Sequence, residues 1–199
     1  MKKGIKIGLI VLAVLVIVGL ISSYFIRSYN HIVAQNEAVS GQWANVENQY
    51  QRRADLIPNL VNTVKGYATH EQQTLTEVIE ARAKATQTQI TFDELNEETL
   101  AQYNQAQGEL SAALGRLMVV SEAYPALQAN QNFRDLQTQL EGTENRIATE
   151  RRRFNEMVQS YNVYVQQFPR NVIAGMFGFK PKSFFAAEPG AEKAPKVEF

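Results

Sequence analysis

With 199 residues and 22.4 kDa, the chain is sized for one core and leaves no room for two well-packed enzyme domains. Its 20 Lys plus Arg balance its 20 Asp plus Glu, and a zero formal charge offers no field for capturing a polyanion, which disfavours nucleic acid. The absence of cysteine excludes disulfides, thiolate nucleophiles, thiolate zinc sites and a lipid-bearing cysteine, and leaves only His31 and His70 for acid-base or metal chemistry.

Residues 1–6 form a short basic terminus. From Ile7 to Ile26 the sequence carries no charge over 20 residues, the length that crosses a hydrocarbon core of ~30 Å as a helix. The run is longer than the apolar part of a cleaved signal peptide, and no small-x-small pair follows it at Ser22 or Ser23, so the segment 7–26 is expected to stay as a transmembrane helix. Lys2, Lys3 and Lys6 precede it and Arg27 follows it, which places the N-terminus in the cytoplasm and the rest outside. That remainder holds 16 basic and 20 acidic residues, a net of about −4.

Prolines stand at 58, 125, 169, 181, 189 and 195, and the proline-free stretches between them accommodate long helices. Val39, Trp43, Val46, Tyr50, Ile57, Leu60, Val64 and Tyr67 follow a 3,4 alternation interrupted only by Arg53, the pattern of a helix with one narrow apolar seam that continues the membrane helix. Asp55 followed by Pro58 predicts a restart and a kink near 54–58, with Asp55 capping a new first turn. A second helix is expected over His70–Thr86, burying Leu75, Val78, Ile79 and Ala83, after a loose joint at Gly66. Thr91 and Glu94 have the form of a capping box that opens a third helix ending near Pro125. A fourth, from Asn130 to Gln167, carries Phe133, Leu136, Leu140, Ile147, Phe154, Met157, Tyr161 and Phe168 as a single stripe.

No strand-like alternation appears between 28 and 168, so the expected fold is all-α. It is an antiparallel, coiled-coil-like bundle of three to four long helices over residues 27–168, following the one transmembrane helix. Asn and Gln number 32 against 20% charged residues, so the outer faces are coated with amides, in most proteins a solvated surface and in some a polar binding surface. The segment 169–185 mixes Phe with Gly, Lys and Pro181 and suits either a contact with the membrane interface or a cap over the end of the bundle. Its proline and glycines favour the cap. Residues 186–199 are small, charged and proline-bearing, and are expected to be disordered. Ser28-Tyr29-Asn30 recurs as Ser160-Tyr161-Asn162, which an even helix count would bring to the same end.

Chemistry is sparse. His70 and Glu71 begin HEQQT, which lacks the second histidine of a zinc-binding HExxH, and the exposed first turn of a helix accounts for both residues. His31 stands one turn past Arg27 near the lipid surface, where a solvated imidazole is the plain reading and a pH-sensing one the alternative. Phosphate-loop, dinucleotide and nucleophile-elbow motifs are all absent, and neither histidine sits three residues after a glutamate as a di-metal bundle needs. Arg151, Arg152 and Arg153 spread over different helix faces between Glu150 and Glu156, which reads as solvent exposure and ion pairing, with a patch for phosphate or an anionic partner as the alternative. Arg52, Arg53 and Asp55 break the seam at the proline, either as a salt bridge or as a docking site.

The stretch from Tyr29 to Arg82, with EAVSGQW, ENQYQRRADLIPNLVNTVKGYATHE and EAR, resembles the LemA family of bacterial membrane-anchored proteins, and the later FNEMVQSYNVYVQQFP and FGFKPKSFF resemble its C-terminal half. The resemblance implies one N-terminal transmembrane helix followed by a helical bundle, with no established enzyme activity and no catalytic, cofactor-binding or metal-binding residues to carry over. With the lysine asymmetry, the expected place is the bacterial inner membrane, with a periplasmic body. Its most characteristic residues here are Trp43, Tyr50, Arg52, Arg53, Asp55, Pro58, Asn59, Gly66 and Tyr67, which are the candidates for an interaction or structural role. The expected function is a non-enzymatic scaffold or protein-interaction module. The alternative is a sensor or regulatory subunit of a membrane protease or kinase, motivated by the Asp55–Pro58 kink. The expected partners are the lipid bilayer through 7–26 and a protein not specified by the sequence, with no cofactor, no nucleic acid, and oligomerisation left open.

Overall fold

The computed structural model describes residues 2–68 and 70–186. All regular structure among them is helical: α1 (Lys2–Lys65), α2 (Gln72–Gln87), a short 3₁₀ turn (Phe92–Glu94), α3 (Glu97–Ser121), α4 (Pro125–Gln128), α5 (Gln131–Gln166) and α6 (Arg170–Met176). The all-α expectation therefore holds, and α4 and α6 are additions to the predicted set. All but residue 186 of the tail expected to be disordered lies outside the described residues. The described chain divides into two compact units, residues 2–40 with 157–181 and residues 41–156 with 182–186.

In the first unit, residues 6–22 of α1 are exposed along their whole length, and this is the one helix long and apolar enough to cross a membrane among the described residues. Beyond it Ser28 and Ile32 turn inward and are buried in the same unit as Val158, Tyr161, Val165, Ile173 and Ala174. The Tyr29 ring lies 4.6 Å from Phe177 and 6.1 Å from Phe179, and His31 packs on Tyr164 at 4.4 Å. Gly178, at φ 77°, takes the left-handed conformation that lets the chain leave α6.

The second unit holds the predicted seam. Trp43, Val46, Tyr50, Arg53, Ile57, Leu60 and Val64 are all buried, as 3,4 spacing on one helix face requires, while Tyr67 at the end of the series stands 42% exposed. Ile57, Leu60 and Val64 cluster with Leu75 and Val78 of α2, Leu110, Leu114 and Leu117 of α3, Leu127 of α4, and Phe133 and Leu140 of α5. Side-chain pairs give the directions within this unit. Trp43 with Phe154 and Arg53 with Glu144 set α1 against α5 head to tail, and Glu77 with Arg116 and Lys84 with Glu109 do the same for α2 and α3.

Of the stripe expected on the fourth helix, Met157 is 39% exposed, and Phe168 lies past the end of α5 and is 82% exposed, so the stripe stops short of that end. Three further expectations are corrected. Ile79 of α2 faces outward and Ala83 is only half-buried, because the inward face is carried on instead by Ala85. The Thr91–Glu94 capping box forms, but it closes only the 3₁₀ turn. The buried Leu95 continues with ψ 104°, which is not helical, so α3 starts two residues later. Its own box joins Asn96 Oδ1, accepting from the Thr99 N–H at 3.0 Å, to Thr99 Oγ1, accepting from the Asn96 N–H at 3.1 Å.

The third correction concerns Pro58. No restart occurs, and α1 runs through the proline unbroken. Proline has no N–H to give the carbonyl four residues back, which normally breaks or bends a helix. That carbonyl belongs to Ala54, and Arg82 of α2 donates to it from Nε at 2.7 Å. The orphaned acceptor is thus satisfied from a neighbouring helix, and Asp55, with no turn to cap, sits exposed and accepts from Gln51 Nε2 at 2.8 Å.

Candidate functional site

The nine candidate residues separate by direction. Trp43, Tyr50 and Arg53 point inward and share one cluster, whereas Arg52, Asp55, Pro58 and Asn59 are exposed on α1. Gly66 lies in the turn that follows α1, and Tyr67 accepts a 2.9 Å hydrogen bond on its hydroxyl from Asn130 Nδ2. Since Asn130 Oδ1 also accepts from the Phe133 N–H at 3.1 Å, that side chain caps the start of α5 and ties it to the turn after α1.

Trp43 is 2% exposed and belongs to the core. Its indole is enclosed by Tyr103 at 5.5 Å, Phe154 at 5.6 Å and a stacked Phe185 at 5.7 Å. Phe185 reaches this place from the C-terminal segment and is held by its backbone. Its N–H donates to Asn155 Oδ1 at 2.8 Å, and its carbonyl accepts from Asn155 Nδ2 at 3.0 Å. Arg151 lies with Cζ 4.9 Å from the Phe185 ring and donates to the Ala186 carbonyl at 3.1 Å. Of the three consecutive arginines, Arg152 and Arg153 make the expected surface pairs with Glu156 and Glu150, while Arg151 is drawn to this aromatic contact.

Arg53 is the charged member of the seam and is 1% exposed. Its Nη1 donates to Ser111 Oγ and Glu144 Oε1, both at 2.7 Å, and its Nη2 donates to Gln107 Oε1 at 2.6 Å and to the Gln107 carbonyl at 3.2 Å. One guanidinium thereby joins α1, α3 and α5, with Nε left unpartnered and Cζ 5.1 Å from the Tyr50 ring. Burial pushes the Tyr50 phenol above its ordinary value, against the pull of Arg151 and Arg53, and raises Tyr103 further, with Tyr50 adding to that rise. Burial also holds Glu47 above the usual carboxylate range, with the Trp43 indole one turn earlier working in the opposite sense. These shifts keep the phenols neutral, so the charges of the cluster are the Arg53 guanidinium and the Glu144 carboxylate paired with it.

Chemically, the arrangement is a pin: it aligns helices and presents no exposed nucleophile with a base beside it. Among the described residues no group of three or more His, Asp or Glu is placed to hold a metal ion. His31 shares a 3.0 Å hydrogen bond with Gln35, and His70 stands exposed in the turn before α2. Sequence reasoning missed Gln107, Ser111 and Glu144. Arg53 on a seam position was itself the signal, because a buried guanidinium requires partners. It also missed Arg82. Replacing Arg82 with alanine strips the Ala54 carbonyl of its donor at a buried position and is expected to lower unfolding free energy by about 1–2 kcal/mol. Urea denaturation of the full chain measures this, and an unchanged midpoint would mean that water replaces the guanidinium.

The chain matches the sequence pattern of the LemA family over residues 42–199, a span that contains all nine candidates. It is 30% identical over 208 aligned positions to magnetosome protein MamQ 2 of Paramagnetospirillum magneticum, covering 96% of this chain and 76% of that relative. It is 27% identical over 209 positions to magnetosome protein MamQ of Magnetospirillum gryphiswaldense, with the same coverage, and 20% identical over 177 positions to protein LemA of Metamycoplasma hominis, covering 87% of this chain and 77% of that protein.

Proposed function

The chain belongs to the LemA family, and we propose that it is a non-enzymatic, membrane-anchored protein whose helical body serves as a scaffold or protein-interaction module. The observation that carries this reading is α1 itself: one helix begins in an exposed apolar run and continues without a break into the buried seam. The chain thus passes from the apolar run to the seam residues as helix, with no coil segment in between. The head-to-tail pairs within the second unit support reading the body as an antiparallel bundle. Its polar cluster is spent on holding helices together, which leaves the amide-rich outer faces as the surface for a partner. The names of the relatives designate an organelle or a family and not a reaction, which agrees with the non-enzymatic reading.

Lys2, Lys3 and Lys6 ahead of the apolar run support a cytoplasmic N-terminus in the inner membrane and a periplasmic body. Protease added to spheroplasts should therefore digest the body while a short N-terminal tag survives, and a protected body would reverse the orientation. Crosslinking in living cells followed by pull-down then tests the role. A stable structural partner supports the scaffold, whereas recovery of a membrane protease or kinase would make the chain a regulatory subunit.

A further inference from the structure

Outside the apolar run, the most exposed large apolar side chains of the first unit lie together on one short stretch of chain. Phe168 is 82% exposed, Val172 51%, Met176 67% and Phe177 53%. Val172 and Met176 are one turn apart on α6, so they share a face, and the intervening Ile173 and Ala174 are buried on the other. A soluble surface would place polar residues on that outer face.

The position of this stripe along α1 is fixed at both ends. Before it, Tyr164 packs on His31 at 4.4 Å, and after it, Phe177 packs on Tyr29 at 4.6 Å. Tyr29 and His31 follow Ile26, the last apolar residue of the run, by three and five positions, which at the rise of an α-helix is about 4.5 and 7.5 Å. The polar headgroup layer is of the same order, about 5–7 Å on each side of the hydrocarbon. Ser23 and Phe25, within the last turn of the run, are half-buried where residues 6–22 are exposed, so the fold reaches down to the end of the run. Arg27, Arg170 and Lys180 stand in the same unit, and basic side chains there suit a surface of lipid phosphates. Arg170 is oriented by the Tyr164 ring, 4.1 Å from its Cζ, and by a 2.9 Å hydrogen bond from Nη1 to Gln167 Oε1.

We propose that Phe168, Val172 and Met176 seat in the bilayer interface beside the outer end of the apolar run, giving the protein a second, peripheral contact with the lipid that holds α1. The contact rests on the reading of 7–26 as a membrane span. Aromatic and thioether side chains at headgroup depth, flanked by basic residues, are the composition of an interfacial anchor. Two contacts on one surface also restrict the tilt and rotation of α1, which a lone helix leaves to its neighbours.

The cysteine-free chain permits a direct test. Full-length protein carrying one nitroxide-labelled cysteine, from Phe168→Cys, Val172→Cys or Met176→Cys, is reconstituted in vesicles of phosphatidylcholine and phosphatidylglycerol. Collision with oxygen is compared with collision with a water-soluble nickel chelate. Leu15→Cys reports the apolar run, and Val119→Cys, on an exposed α3 position, reports water. The oxygen-to-nickel ratio at 168, 172 and 176 should be several-fold above that at 119 and below that at 15. Water-like ratios at these three sites with a lipid-like Leu15 overturn the interfacial contact and leave the anchor standing. A water-like Leu15 removes both. Shielding of the three sites from both reagents means that a second copy covers the stripe, and this too overturns the lipid contact.

Discussion

Replacing Trp43 with alanine should lower the unfolding free energy by about 3–5 kcal/mol, the cost of removing a large aromatic side chain from a close-packed core. The indole is 2% exposed and has three aromatic neighbours within 6 Å, so its removal empties a space that no single neighbour can fill by changing rotamer. Tyr103 is itself held edge-on to Tyr50 at 5.4 Å, and Phe154 packs against Phe185 at 5.3 Å, so the rings have little freedom to collapse inward. Trp43→Phe keeps most of the contact area and should cost clearly less. Denaturation in detergent followed by circular dichroism measures both, since the loss of the only tryptophan rules out fluorescence as a probe. A shift below 1 kcal/mol for the alanine variant, with lost partner crosslinking, would return Trp43 to the role of a docking residue.

The parts of the fold that were legible in the sequence are those governed by local rules. The 3,4 spacing from Val39 to Val64 predicted which α1 residues are buried, and Pro125 and Pro169 bracketed the ends of α3 and α5, because periodicity and a missing N–H act within a few residues. What escaped was settled by distant residues. Pro58 carries its cost visibly in the sequence, but the compensating donor is Arg82, 28 positions on, and nothing local marks it. The two capping boxes starting at Thr91 and Asn96 are equivalent as local patterns, and burial of Leu95 between them decides which one opens a long helix. Among the candidates, Arg53 could be recognised as anomalous from its seam position, while its partners on α3 and α5 could not be named. Phe185 followed no periodicity at all, since it enters the core from a segment outside any helix, clamped by Asn155.

Removing Glu144 should destabilise the protein more than removing the arginine it pairs with. Glu144→Ala leaves the Arg53 guanidinium 1% exposed, with Ser111, Gln107 and the Tyr50 ring as its remaining neighbours, all of them neutral. Breaking a fully buried pair from one side costs about 3–5 kcal/mol, because the remaining charge stays unsolvated. Here the Glu144 side chain is 42% exposed, so water can follow it out and screen the site, and about 2–3 kcal/mol is the reasonable expectation. Arg53→Met removes the charge and keeps much of the volume. Glu144 can then turn to solvent, and the main loss is the Gln107 amide, which must find another donor, a cost of about 1–2 kcal/mol. Combining Arg53→Met with Glu144→Ala should cost little more than Arg53→Met alone, since no stranded cation remains, and this gives a coupling of about 2 kcal/mol in the double-mutant cycle. Arg53→Lys cannot rescue the arrangement, because an ammonium lacks the planar fork that reaches Ser111, Glu144 and both acceptors of Gln107 at once. Equal losses for Glu144→Ala and Arg53→Met, with no coupling, would mean that α5 is held to α1 by its apolar contacts alone and that the guanidinium is a tolerated passenger in the seam.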